Sequence, residues 1–415
     1  MASNVDKFSS RFYLNVNKEE LKKEYVGKTI QQVPTPGFVI DEAIFEKNCN
    51  RMLDRASDIG VTFRAHVKTH KTIEGTLLQL GDGRTKAVVV STLMEGFSLI
   101  PLILEGKIDD LLYGLPVAKS RLPELYELSK IVPHLRLMID NPKQLDILRE
   151  FTSTLPDDAK PWSIFVKIDM GTHRAGVTND SQVVKDLIST ILSDKSLFDL
   201  FGFYCHAGHS YASRSIDAAS EFLCAEIDAA NTAAKFATSI DPSLKLTLSV
   251  GATPTAHSVS PKVKELLPTL SGKLEVHAGN YPMNDVQQMI TKCISQADVA
   301  DYVFAEVISN YPGRNGEPGE VLVNAGVIAM SRETSPEGDF GIVITPGFES
   351  FYVDRLSQEH GILKSKDPKA TLPDASQVLC IIPNHSCITA AAFPWYYITK
   401  GSDVITDIWV PWKGW

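Results

Sequence analysis

The sequence predicts an α/β chain: a (β/α)8 barrel over residues 31–298, then a second, mainly antiparallel β domain over 299–415 that residues 1–30 also join. Three observations carry this. Strand-like and helix-like stretches alternate about eight times, the signature of parallel β/α architecture, and the count favours a closed barrel over an open sheet. No G-x-G-x-x-G follows the first strand, which weakens a dinucleotide-binding reading. Beyond residue 300 apolar strands follow one another across Gly/Pro/Asp turns with few helices between them.

The elements follow in order. Residues 1–30 are polar and helix-prone. Thr35-Pro36-Gly37 breaks the chain before a short buried strand, Phe38-Val39-Ile40-Asp41, and 42–59 places Ile44, Phe45, Cys49, Met52 and Leu53 on one helical face. A strand with alternating Val61, Phe63, Ala65 and Val67 leads to Lys68. Further strands are expected at 87–92, 110–114, 135–140, 164–169, 200–206, 246–250 and 274–277, with helices at 72–81, 93–105, 118–131, 142–153, 180–194 and 213–239 between them. The second domain shows strands at 321–330, 341–344, 378–382 and 404–410. There is no short-period repeat and no low-complexity linker.

Composition bounds the function. The 415 residues are 44% hydrophobic and 22% charged, an ordinary globular balance with room for a sizeable core. A net charge of −9 argues against nucleic acid as the main partner. The six cysteines are dispersed and form no C-x-x-C pair, and the first residues contain no apolar targeting segment. No run is apolar enough to span a bilayer, so a cytoplasmic protein is expected.

Unusual polar residues cluster at the predicted strand ends. Arg64, His66, Lys68, His70 and Lys71 crowd one of them. A neutral lysine amine there can attack a carbonyl, although a solvated basic strand end is the alternative. Lys167-Ile168-Asp169-Met170-Gly171-Thr172-His173-Arg174 ends a strand in a glycine turn that presents Arg174 to a phenolate or carboxylate, or to a surface ion pair. Tyr204-Cys205-His206-Ala207-Gly208-His209-Ser210-Tyr211 offers an imidazole that can stack on an aromatic ring or serve the core. The turns at Ser249–Thr255 and Gly279–Asn284 hold small residues whose backbone N–H groups suit a phosphate. His385 and Cys387 stand two apart after an apolar strand. Extended geometry would face both one way, and imidazole with thiolate suits zinc, although two ligands leave the site incomplete.

Taken together these segments resemble the D-serine dehydratase and D-threonine aldolase family of pyridoxal-phosphate enzymes, which share an alanine-racemase-like barrel. The likeness runs from about residue 35 to about 395. It rests on Arg-x-His-x-Lys-Thr-His-Lys, Lys-x-Asp-x-Gly-x-x-Arg-x-Gly-Val, the small-residue turn, Gly-Asn-Tyr and Pro-Asn-His-x-Cys. It implies a fold type III enzyme in which Lys68 is catalytic and carries pyridoxal 5'-phosphate. Arg174 would bind the phenolic oxygen. His206 would lie against the ring, with Tyr204 and Tyr211 beside it. Gly251, Thr253, Gly279, Asn280, Tyr281, Met283 and Asn284 would cradle phosphate and ring, and His385 and Cys387 would bind Zn2+. His-x-Cys, where the aldolases tend to have His-x-Asp, points to dehydration. The sequence departs from racemase-like relatives at His277-Ala278-Gly279, where Arg-Pro-Gly is common, so the partner of the ring nitrogen is open. The implied activity is β-elimination of water from D-serine to pyruvate and ammonia. The alternative is retro-aldol cleavage of a D-β-hydroxy amino acid such as D-threonine. A homodimer is implied, each site formed between one barrel and the partner's β domain.

Overall fold

The computed structural model describes residues 16–415. The helix expected within 1–30 is present as Lys18–Tyr25, capped by Asn17, whose side chain accepts from the Glu20 N–H; residues 1–15 lie outside the described part. Then comes β1 (Gly37–Asp41), followed by β2 (Thr62–His66), β3 (Ala87–Val90), β4 (Asp110–Pro116), β5 (His134–Ile139), β6 (Trp162–Asp169), β7 (Val177–Thr178), β8 (Phe198–Cys205), β9 (Thr247–Val250) and β10 (Lys273–Ala278). Eight of these form a ring in the order β5-β4-β3-β2-β10-β9-β8-β6, and β5 pairs with β6 to close it. Every pair in the ring is parallel. β7 is a two-residue strand beside β6.

β1 corrects the sequence reading, which offered nine strands for eight places. It lies outside the barrel, between β11 (Asp301–Pro312), with which it runs antiparallel, and β17 (Tyr396–Thr399), with which it runs parallel. Phe38, Val39 and Ile40 are all fully buried. A strand covered on both faces suits either sheet, so its pattern carries no information about which one it joins.

The barrel interior is layered. Val89, Leu112, Met138, Phe165 and Tyr204 pack as one apolar cluster. Nearer the amino ends of the strands lies a buried ion network. Arg64 donates to Glu275 at 2.7 Å and to Asp110 at 2.6 Å, and Arg136 donates to Asp110 at 2.9 Å while its guanidinium covers the Phe201 ring at 3.6 Å. Each charge of this network is paired, which offsets its desolvation. The expected helix over 93–105 is two, Leu93–Ser98 and Ile100–Leu104, because Pro101 sits at the start of the second.

In the second unit β11, β12 (Gly319–Val323), β13 (Gly341–Val343), β14 (Phe351–Leu356), β15 (Gly361–Ser365) and β16 (Val378–Pro383) make an antiparallel ring, β12-β15-β14-β13-β16-β11, closed by β11–β12. β1, β17 and β18 (Ile405–Trp409) extend it from β11. The apolar run 321–330 is not one strand: β12 ends at Val323 and a helical turn, Val327–Met330, follows. Residue contacts divide the chain into Asn50–Gly279 with Trp412–Trp415, and Asn280–Pro411 with the described residues up to Cys49. By residue contacts the expected boundaries at 31 and 298 both move inward, to Asn50 within the helix after β1 and to Gly279. No helix among the described residues is long and apolar enough to cross a membrane.

Candidate active site

The carboxyl ends of the barrel strands enclose a cavity of about 380 Å³. Of the residues singled out in the sequence, Lys68, Arg174, Tyr204, His206, Tyr211, Gly251, Thr253 and Gly279 line it. Lys68 follows β2 directly. The cations crowded around it in the sequence are sorted by the fold. Arg64 belongs to the ion network at the other end of the strands. His66 and Lys68, at successive alternate positions, face the cavity. Lys71 pairs with Glu95 at 3.0 Å, and its carbonyl accepts from the Trp412 N–H at 2.8 Å. His70 is fully buried. Its Nδ1 accepts from the Thr72 N–H at 3.1 Å and its Nε2 donates to Gln79 Oε1 at 2.9 Å, the pattern of a neutral ring. Gly279 packs closely against this side: a Cβ there would lie 3.2 Å from Lys68 Cε and 3.3 Å from His66 Cβ.

One wall is a stack of rings. Tyr204 and His277 lie 4.0 Å apart at 12°, and His206 and His277 6.2 Å apart at 23°. His206 Nδ1 donates to the Gly251 carbonyl at 2.7 Å. His277 Nδ1 lies 3.0 Å from Ser249 Oγ, while its Nε2 is buried without a hydrogen-bond partner. A second lysine, Lys167, reaches the same cavity, its Nζ 4.4 Å from the Tyr204 ring centre. Burial, aided by the charge of Arg174, lowers its pKa to about 8. Lys167 was read only as the start of the turn that presents Arg174; its place at an inward position of β6, in step with Phe165, was the available signal.

These rings set the acid stability. Burial holds His66, His206 and His277 well below the ordinary histidine range, reinforced by Lys68 for His66, by Lys167 for His206 and by His206 for His277. Burial brings His70 to about 4. Each folded pKa is depressed, so in the unfolded chain these rings take up protons near pH 6.5 that the native rings refuse. The stability they contribute is complete above pH 6.5 and is lost as pH falls toward 4, His70 alone accounting for about 3 kcal/mol. Urea unfolding at pH 7.5 and 5.5 checks this: the apoprotein should be markedly weaker at 5.5, and His70→Gln should flatten the difference.

The turn after β9 differs from expectation in one respect. Two of its backbone N–H groups are taken by the protein itself. Gly251 N–H donates to Glu226 Oε1 at 3.2 Å, and Ala252 N–H donates to Thr255 Oγ1 at 2.7 Å. Gly251 has φ +147°, and a Cβ there would meet the His277 carbonyl at 2.1 Å, so only glycine fits.

Asn280, Tyr281, Met283 and Asn284, expected in the cofactor cradle, do not line the cavity; all four are buried in the second unit. There the segment supports the other candidate site. Asp285, which follows it, accepts from Asn280 Nδ2 and from the Ser386 N–H at 3.0 Å. Ser386 Oγ lies 2.8 Å from the Asn284 carbonyl and 2.7 Å from Asp301. The turn between His385 and Cys387 is thus pinned at its middle residue. His385 and Cys387 do not lie on a strand: His385 caps the helix Ser386–Ala392 and Cys387 sits in its first turn. They meet nevertheless. The Cys387 thiol is a hydrogen-bond partner of the His385 ring, and Glu333 holds His385 Nδ1. Burial works against charge on His385, but Cys387 and Glu333 outweigh it and raise its pKa to about 11. Among the described residues no group of three or more His, Cys, Asp or Glu is arranged to hold a metal. The donors present still suit zinc: an imidazole oriented by a carboxylate on one nitrogen, with a thiol beside it.

Two family models match the chain, the alanine racemase N-terminal domain over residues 40–265 and a serine dehydratase domain over 300–399. The D-serine dehydratase of Saccharomyces cerevisiae is 39% identical over 95% of this chain and 100% of its own length. The chain belongs to the D-serine dehydratase family. A D-serine dehydratase of Dictyostelium discoideum is 30% identical over 93% of this chain and 98% of its own. Among solved structures, the D-threo-3-hydroxyaspartate dehydratase of Delftia sp. HT23 superposes with a TM-score of 0.81 at 29% identity, covering 94% of this chain and 100% of that one. In this family's fold the cavity at the strand ends, with a lysine in reach, has the character of a pyridoxal-phosphate site.

Proposed function

We propose that the chain eliminates water from D-serine, giving pyruvate and ammonia, with pyridoxal 5'-phosphate in the barrel cavity and zinc on His385 and Cys387. The observation that carries the reading is Lys68 at the mouth of β2, facing a cavity walled by flat, neutral histidine and tyrosine rings, in a chain so similar to D-serine dehydratases. The cofactor's fit rests on that lysine and on the unpartnered His277 Nε2 among the lining groups. Once bound, the cofactor supplies an electron sink for the pair left by the α-proton.

The chain's own residues do the rest. Lys68 Nζ is the group that would hold the cofactor, and the same amine, freed, would take the α-proton as base. Gly279 keeps its stem unobstructed. Arg174, exposed at the cavity edge, presents a guanidinium suited to the phenolic oxygen. His206 is fixed by the Gly251 carbonyl and offers a flat face that adds no charge. Zinc on His385 and Cys387 would act as a Lewis acid toward the departing hydroxide. Loss of the α-proton and β-hydroxyl leaves 2-aminoacrylate, which hydrolyses to pyruvate and ammonia. None of the six cysteines is in a disulfide, which suits a reducing compartment such as the cytosol, and the family likeness implies a homodimer that sedimentation would test.

The test is one assay. Purified protein is incubated with D-serine before and after a zinc chelator, following pyruvate and the cofactor's near-visible absorbance. Pyruvate that stops on chelation while the absorbance persists is the expected result. No pyruvate from protein loaded with both cofactor and zinc, with glycine and an aldehyde released from D-threonine instead, would replace elimination by retro-aldol cleavage.

A further inference from the structure

Behind the cavity wall, on the helix Ile216–Ile240, sits a carboxylate that the reaction above does not use. Glu226 is wholly buried and lines no part of the cavity. Among the described residues no lysine or arginine lies within ion-pair distance of it. A buried carboxylate in that position is costly unless donors meet it, and two backbone donors do. Ala207 N–H reaches Oε1 at 2.5 Å and Gly251 N–H reaches the same oxygen at 3.2 Å. One oxygen therefore bridges two loops that are 44 residues apart in the chain. Ala207 follows His206, on the loop after β8. Gly251 opens the turn after β9, and its carbonyl accepts from His206 Nδ1. Peptide, carboxylate and imidazole close a ring: Glu226 to Ala207, along the chain to His206, across to Gly251, and back to Glu226.

We propose that Glu226 is a positioning residue that clasps the loops after β8 and β9 together, setting the angle of the His206 ring and the height of the Gly251–Thr253 turn for the cofactor. This rests on the reading that the cavity binds pyridoxal phosphate. The clasp acts through reach: its length places one acceptor oxygen between two N–H groups. Its charge is secondary. Gly251 cannot be held any other way from this side, because its φ of +147° and its 2.1 Å approach to the His277 carbonyl leave no room for a side chain of its own. Without the carboxylate both N–H groups would be buried unpaired, and the loops would part to find water.

Three variants test it, with cofactor Kd read from the absorbance of the lysine-bound form and with apoprotein unfolding as the second readout. Glu226→Gln keeps an acceptor oxygen at the same reach and should hold Kd within about threefold of the parent. Glu226→Asp keeps the charge but withdraws it by about 1.5 Å, and should weaken Kd about tenfold or more. Asn231→Ala is the control. Its Oδ1 accepts from the Ser271 N–H at 2.8 Å, on the same helix but with no part in the cavity. It should lower stability with Kd unchanged. Glu226→Asp matching this control, stability lost and Kd kept, would reduce Glu226 to a structural role and overturn the proposal. So would a Glu226→Gln variant that loses tenfold, which would make charge and not reach the operative property. Failure of the parent protein to form the lysine-bound absorbance at all would sink the cofactor reading itself, a result none of the variants can mimic.

Discussion

Lys68→Ala should abolish the near-visible absorbance of lysine-bound cofactor and lower turnover by at least about 10⁴-fold, because under the proposed reading one change removes both the covalent anchor and the base. The side chain is half-buried and carries none of the packing that holds β2, so the variant should fold with near-parental stability. The loop around it is held by other groups: Thr69 Oγ1 donates to the Gly279 carbonyl at 3.1 Å, His70 is locked by Thr72 and Gln79, and Lys71 pairs with Glu95. The structure also contains a rival. Lys167 is buried in the same cavity with a pKa lowered to about 8, so an available amine is not by itself evidence for Lys68. Borohydride reduction of the loaded enzyme followed by peptide mapping separates them. The label should fall on Lys68, and Lys167→Met should retain the absorbance. Turnover in Lys68→Ala within tenfold of the parent, or a label on Lys167, would end the assignment.

Cys387→Ala should behave in the opposite way, keeping the cofactor absorbance and losing turnover by about 10³-fold. A Lewis acid on a poor leaving group contributes several kcal/mol to the barrier, and about 4 kcal/mol is that factor. Hydroxide leaves badly without such help, so under the proposed reading a metal on His385 and Cys387 would act on the leaving group and leave the lysine chemistry untouched. His385 would supply the second donor, and Glu333 on its Nδ1 fixes the ring beside Cys387. Glu333→Gln should therefore weaken zinc binding by about 10- to 100-fold without moving the cofactor, measured by metal content after dialysis against a graded chelator. Full activity in Cys387→Ala would remove zinc from the mechanism.

Much of this was legible in the residues. Alternating Phe63, Ala65 and Val67 ending at a lysine placed Lys68 on a strand end, and a period-2 pattern says which side chains share a face. The same rule put His66 beside Lys68 in the cavity and sent Arg64, one step earlier, into the ion network. Where the pattern was uniform it said nothing. β1 is apolar throughout, and its removal from the barrel depended on partners more than 250 residues away in the chain. Local rules were incomplete at two turns. The residues after Gly279 read as a cofactor cradle because small and polar residues at a strand end suit phosphate; within the second unit Asn280 Nδ2 also donates to Asp285 and Asn284 Nδ2 to the Asp298 carbonyl. His385 and Cys387 read as neighbours on a strand, whereas a helix begins between them and brings them together by another route.

The sequence by itself determined most barrel strands and helices, the ordinary globular composition, and the residue types that can form an imine or hold zinc, because those properties depend on side chains within a few positions of one another. The tertiary structure alone decided which sheet β1 joins, which of two lysines stands beside Gly279, which turn N–H groups are already taken, and that Glu226 meets two loops at once. Each of those is a contact between distant segments, set by which buried polar groups find partners when the barrel closes, and no local pattern encodes that choice.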